Sequence, residues 1–306
     1  AQGSNVYADE AMQKAGEFGK AIKRVNDEQA LKEALEAAKN ADVIVAALGE
    51  TAEMSGECAS RSDLSLPDVQ KNLLRKLVAT GKPVVLLNFS GRATEMKWES
   101  ENVDAIMNVW FGGSETASAI CDVLYGDVNP SGKLTVSMPQ ATGQEPLYYN
   151  HLPTGRPVAE NAKNFAKYAS NYLDVRNDAL YPFGYGLSYT TFAYSDIRLS
   201  SNEMSRDGSI KATVTVSNTG SRDGDEIVQL YIHDKVASIS RPVRELKGFE
   251  RIHLKAGESK EVNFDITPDL LKFYDVNLKE VLEPGQFDLM IGSSSINNKT
   301  TLFTVN

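Results

Sequence analysis

Cysteine is nearly absent from this chain, with Cys58 and Cys121 the only two in 306 residues. That count excludes a disulfide framework or a cysteine-built metal cluster, and both thiols are expected free. Histidine is almost as scarce. His151, His233 and His253 all lie far in sequence from Cys58, which leaves a Cys–His nucleophile pair little support. Basic charge is also short, since 32 Lys and Arg against 41 Asp and Glu leave a formal net charge of −9. A protein that reads a phosphate backbone needs clustered cations, so nucleic acid is excluded as the expected partner. No apolar run approaches the roughly 20 residues that span a bilayer, and no charged-then-apolar signal opens the chain. What remains is ordinary for globular protein, with 42% hydrophobic and 24% charged residues and length enough for two domains. Neutral or polar ligands fit such a chain best.

The apolar run Val43-Ile44-Val45-Ala46-Ala47-Leu48 reads as a strand buried on both faces. It feeds directly into an acidic, glycine-containing loop, residues 49–63, which carries Glu50, Glu53, Glu57 and Asp63. Open α/β sheets bind ligands outside the carboxyl ends of their strands, so this loop is the first candidate for chemistry. From residue types alone, any one of its glutamates is as well explained by a solvated surface turn.

Helix and strand signals alternate through the first half. Ala30, Leu31, Ala34, Leu35, Ala37 and Ala38 predict a helix over residues 28–40, and Val69, Leu73, Leu74 and Leu77 predict another that starts near Pro67 and stops at Gly81. Residues 83–89 and 104–110 read as two further strands, and a helix that opens at Ser114 and Glu115 runs through Leu124 to Gly126. Alternation of this kind predicts a mostly parallel sheet whose loops at Gly49, Asn88 and Phe111 open on one edge. Arg92, in Ser90-Gly91-Arg92, falls on that edge.

Six prolines and many aromatics mark residues 127–191, which read as a packed connector because their rings need burial. Period-two alternation then appears at residues 209–217, 226–233, 260–266 and 286–292, with turn signals between them. About seven short strands in this space suggest a fibronectin type III-like sandwich. The expected organisation is an α/β sandwich domain over residues 1–140, the connector over 141–191, and the β-sandwich over 192–306.

Several fragments, in order, resemble glycoside hydrolase family 3, most of all its bacterial periplasmic β-glucosidases. They are Gly49-Glu50, Ser55-Gly56-Glu57, Ser60-Arg61-Ser62-Asp63, Gly81-Lys82-Pro83-Val84-Val85-Leu86, Trp110-Phe111-Gly112-Gly113, Tyr125-Gly126-Asp127-Val128-Asn129-Pro130-Ser131-Gly132-Lys133-Leu134, the segment from Tyr181-Pro182-Phe183-Gly184 to Thr191-Phe192, and Arg241-Pro242-Val243-Arg244-Glu245-Leu246-Lys247-Gly248-Phe249. The resemblance covers nearly the whole chain. It implies a retaining hydrolase of terminal β-D-glucosyl residues, no cofactor or metal, and a periplasmic or secreted location. It also implies that the aspartate nucleophile belongs to an N-terminal TIM-like barrel outside this sequence, and that the lead-in Gln2-Gly3-Ser4-Asn5-Val6 follows an α/β strand likewise outside it. On the same ground Glu57 is the expected acid/base, with Glu53 its fallback. Glu50, Arg61, Asp63 and Arg92 are expected to bind substrate or support the loop, Arg61 and Asp63 by pairing.

Retaining glycosidases set two carboxyl groups about 5–5.5 Å apart across the sugar. Nothing in this sequence supplies a rigid second carboxylate opposite Glu57, so the chain by itself is expected to be inactive. Trp98, Trp110, Tyr148, Tyr149 and His151 are weaker candidates for sugar contact, each explained about as well by packing. Gly112-Gly113-Ser114 offers a helix start without the spacing of a nucleotide loop. Two other readings stay open: a non-catalytic carbohydrate-binding or cell-surface scaffold, and the same hydrolase class with xylosidase or glucan exohydrolase specificity. Homodimerisation stays open too, with no residue pattern pointing to it.

Overall fold

A computed structural model describes residues 1–7, 10–15, 23–158 and 165–306. The chain divides into two compact units, Ala1–Cys121 with Met138–Glu145, and Asp122–Ser137 with Pro146–Asn306.

The first unit is α/β. After a short α1 (Glu10–Ala15), helix α2 (Asp27–Lys39) starts where the Asn26 side chain accepts from the Gln29 N–H at 2.9 Å, and it buries Ala30, Ala34 and Ala38 at four-residue spacing. Strand β1 (Ile44–Gly49) pairs in parallel with β2 (Val84–Phe89), and β2 pairs with β3 (Ala105–Asn108), in the order β1-β2-β3. Between them run α3 (Asp68–Val78), which buries Leu73, Leu74 and Leu77, and α4 (Lys97–Asn102). Gly81, at φ +73°, closes the α3 exit in a conformation that favours glycine. Ile44, Ala46, Leu48, Val84 and Leu86 meet Leu66, Leu74 and Leu77 in one core.

The strand expected to be buried on both faces is covered on one. Ile44, Ala46 and Leu48 face the core, whereas Val43 and Val45 stay 50% and 49% exposed and Ala47 is also open. The apolar run is long enough for two-sided burial, but among the described residues only the face toward α2 and α3 has cover. The third strand is also shorter than its apolar run, because Trp110 turns to φ +55° two residues beyond β3. Helix α5 (Thr116–Tyr125) follows and ends at Gly126, as its pattern predicts, yet it buries no residue.

The second unit is all-β. A sheet of order β10-β7-β4, with β5 also on β7, faces one of order β6-β14-β13-β8-β9 across a shared core. The strands are β4 (Phe192–Tyr194), β5 (Arg198–Leu199), β6 (Glu203–Met204), β7 (Ile210–Asn218), β8 (Gly224–Asp234), β9 (Glu245–Leu254), β10 (Ser259–Ile266), β13 (Gly285–Gly292) and β14 (Asn298–Val305), with a separate β11 (Phe273–Tyr274) and β12 (Glu280–Val281) hairpin. Alternating Ile210, Ala212, Val214 and Val216 on β7 meet Val228, Leu230 and Ile232 on β8, so the period-two pattern is the sandwich core.

Aromatic residues upstream of β4 belong to this unit. The Tyr149 ring stacks on Phe183 at 4.1 Å, and both stand edge-on to Tyr231. Lys133 reaches the Glu226 carboxylate at 3.3 Å and donates to the Gly186 carbonyl at 3.0 Å. Burial pushes the Glu226 carboxyl up, with Lys133 and the Tyr194 hydroxyl acting against that rise. An α/β domain followed by an all-β domain is the architecture the sequence predicts.

Candidate functional site

The loop after β1 begins under constraint. Gly49 sits at φ +140°, where a Cβ would fall 1.9 Å from the Phe89 carbonyl oxygen, so only glycine lets β1 and β2 end side by side here. Gln70, buried on α3, donates to the Gly49 carbonyl at 2.9 Å and accepts from its N–H at 2.7 Å. The next residue, Glu50, donates its N–H to Phe89 and turns its carboxylate inward.

That carboxylate is 1% exposed and gathers three donors. Arg61 Nη1 reaches it at 2.7 Å, the Ser90 hydroxyl at 2.7 Å, and Arg92 Nε at 3.2 Å. Two guanidinium groups and a hydroxyl thus converge on one buried carboxylate, and the two guanidinium bonds are charge-assisted. Arg61 therefore pairs with Glu50 and spends its other nitrogen on the Ser65 carbonyl at 2.9 Å, rather than pairing with Asp63. Asp63 accepts instead from the Ser65 N–H at 2.8 Å and hydroxyl at 2.7 Å, and these bonds hold its carboxyl below the usual range.

Glu57 occupies a reverse turn, residues 56–59, closed by the Ala59 N–H on the Gly56 carbonyl at 3.2 Å. Cys58 follows it at φ +59°, in the left-handed conformation. Both cysteines are free and exposed. The Glu57 side chain is exposed, and among the described residues nothing hydrogen-bonds or ion-pairs with its carboxylate. Glu53 differs, because it accepts from the buried Tyr7 hydroxyl at 3.3 Å, and that hydroxyl also lies 2.7 Å from Thr51 Oγ1. Burial pushes the Tyr7 phenol up. The four acidic residues thus fall into one sealed, one tethered, one turn-forming and one open.

The loops after β1, β2 and β3 meet on one edge. A Cβ on Gly91 would lie 2.2 Å from Ser55 Oγ in the first loop and 3.0 Å from the Phe111 ring in the third. Arg92 continues the contact by donating through Nη2 to the Met54 carbonyl and, at 2.7 Å, to the Ala59 carbonyl. Sequence reasoning found Arg92 but not Ser90 or Gly91; a serine and a glycine directly after an apolar strand were the available signal.

Trp98 lies under the Arg75 guanidinium at 5.3 Å, and Trp110 stands two residues beyond β3 in a left-handed conformation. Tyr149 is stacked and accepts from the Leu246 N–H, His151 accepts through its carbonyl from Val243, and Tyr148 is exposed. At Gly112-Gly113-Ser114 the nearby Thr116 hydroxyl donates to the Gly113 carbonyl at 2.7 Å. Among the described residues no group of three or more His, Cys, Asp or Glu is arranged to hold a metal ion, and no helix is long and apolar enough to cross a membrane.

Comparison with known proteins identifies the family and the two domains. Residues 4–189 match the family described as the glycosyl hydrolase family 3 C-terminal domain, and residues 226–295 match a fibronectin type III-like domain. A periplasmic β-glucosidase of Salmonella typhimurium is 50% identical over 271 residues, which cover 89% of this chain and 35% of that protein. A β-xylosidase of Formosa agariphila is 40% identical over 263 residues, 86% of this chain and 35% of that protein. Among solved structures, the Listeria innocua β-glucosidase in complex with gluconolactone superimposes with a TM-score of 0.87 at 42% identity, over 93% of this chain and 39% of that one. The chain thus spans about a third of the length of these relatives.

Proposed function

The chain belongs to glycoside hydrolase family 3, and from that premise we propose that it is the C-terminal part of a retaining β-glucosidase whose general acid and base is Glu57. The observation that carries this reading is the contrast on the loop. Of its glutamates, Glu57 alone stands exposed with a carboxylate no described residue engages, at the tip of a turn whose two flanks Arg92 holds.

A carboxylic acid holds its proton near neutrality when burial or negative charge disfavours the anion. The α/β unit leaves Glu57 open to solvent, so the surroundings that would keep it protonated come from the surface it docks against. In the proposed reaction an aspartate on a barrel domain attacks the anomeric carbon while Glu57 gives its proton to the departing glycosidic oxygen. The Glu57 carboxylate then takes a proton from water as that water breaks the glycosyl–aspartate bond, and the acid is regenerated. No metal or cofactor enters.

The proposed substrates are short oligosaccharides with a terminal non-reducing β-D-glucosyl unit. Support comes from the Salmonella relative's name and from the Listeria enzyme's complexes with glucose and laminaribiose. The 40% identical β-xylosidase favours xylosyl specificity as the second reading; comparing aryl glucoside with aryl xyloside turnover by the complete polypeptide separates the two. A periplasmic location follows the same relative. The experiment for the division of labour is turnover of an aryl β-glucoside by the purified chain and by a polypeptide that includes the barrel. Activity only in the latter is expected, and appreciable turnover by this chain alone overturns the reading.

A further inference from the structure

We infer that Ser90-Gly91-Arg92, at the exit of β2, is the positioning device for Glu57, with Arg92 the positioning residue. The inference rests on the assignment of Glu57 as acid/base and adds what aims it.

Met54 and Ala59 lie on either side of Glu57 in the chain, and a single nitrogen of Arg92, Nη2, bonds both of their carbonyls. The six residues from Met54 to Ala59 are therefore tied at both ends to one guanidinium. Nε of the same group is held by Glu50, which is held in turn by Ser90 and Arg61. Gly91 seats the floor, since its missing Cβ leaves the space that Ser55 Oγ occupies. The guanidinium fork is needed because its planar donors reach a carboxylate and two carbonyls at fixed angles. A lysine ammonium places its charge near Glu50 but cannot span all three acceptors.

A residue that only keeps the loop folded lowers the active fraction and weakens every substrate equally. A residue that aims the proton donor weakens only the substrates that need the proton. A displacement of about 1 Å at a reacting group costs on the order of 100-fold.

The test uses the complete polypeptide with Arg92→Lys, Gly91→Ala and Glu57→Gln, and two substrates: a dinitrophenyl β-glucoside, whose leaving group needs no proton, and an alkyl β-glucoside, which does. Arg92→Lys is expected to lower kcat/KM for the alkyl glucoside roughly 10- to 100-fold and to leave the dinitrophenyl glucoside within about threefold, with kcat falling rather than KM rising. Gly91→Ala sets a methyl against Ser55 Oγ and the Phe111 ring, keeps every charged group of the ion cluster, and is expected to show the same split. It decides the matter if Arg92→Lys does not fold. Equal losses on both substrates, or none on either, overturn the inference. If Glu57→Gln itself shows no split, the acid/base reading fails; if it splits the substrates and the other two do not, only the positioning role fails.

Discussion

Arg92 Nε lies 3.2 Å from the sealed carboxylate of Glu50, and the two together tie the loop after β1 to the loop after β2. Glu50 was legible as acidic and close to the site, but not as a buried counter-charge, because one strand-end glutamate looks like another until its donors are in place.

Replacing Glu50 by Gln keeps the volume and removes the charge that two guanidinium groups face. Arg61 and Arg92 are each about a fifth exposed, with side-chain values of 20% and 23%, which softens the penalty. Urea denaturation should show the α/β unit destabilised by about 2–4 kcal/mol. A loss below about 0.5 kcal/mol would mean that the cluster contributes no more than a surface pair.

The Asp63 carboxyl is held below its ordinary value by the Ser65 hydroxyl and N–H. A lowered folded-state value adds stability that is fully present above the ordinary carboxylate range and is lost as pH falls through the lowered one. Asp63→Asn should therefore melt below the parent at neutral pH, and the gap should close in strong acid. Thermal melts across pH check this, and a gap independent of pH contradicts it.

Lys133 and Glu226 are 10% and 3% exposed, and removing one partner strands the other. Lys133→Met should destabilise the β unit by about 3–5 kcal/mol, whereas Lys133→Met combined with Glu226→Leu should recover most of that loss. A double-mutant cycle in urea gives the coupling, and additive losses would contradict it.

Much of the architecture could be read from the chain because period and punctuation agreed: Ala30, Ala34 and Ala38 for α2, Pro67 and Gly81 around α3, and the alternation of Ile210, Ala212, Val214 and Val216 for β7. The open side of β1 escaped, since Val43 and Val45 are apolar whether or not something covers them. Within the site, Glu57 and Arg92 came from motif and position. The pairing of Arg61 with Glu50, and the roles of Ser90 and Gly91, depend on where three loops meet in space, which no local pattern encodes.

If Glu57 gives and takes the proton, the azide response of Glu57→Gln in the complete polypeptide shows it most directly. Hydrolysis of an alkyl β-glucoside should fall by about 100- to 10,000-fold, while a dinitrophenyl β-glucoside should still form the glycosyl-enzyme. Added azide, a nucleophile that needs no base, should then speed turnover of the activated substrate and yield the β-glucosyl azide. Parent-like hydrolysis of the alkyl glucoside, with no azide product from the activated one, would contradict the claim.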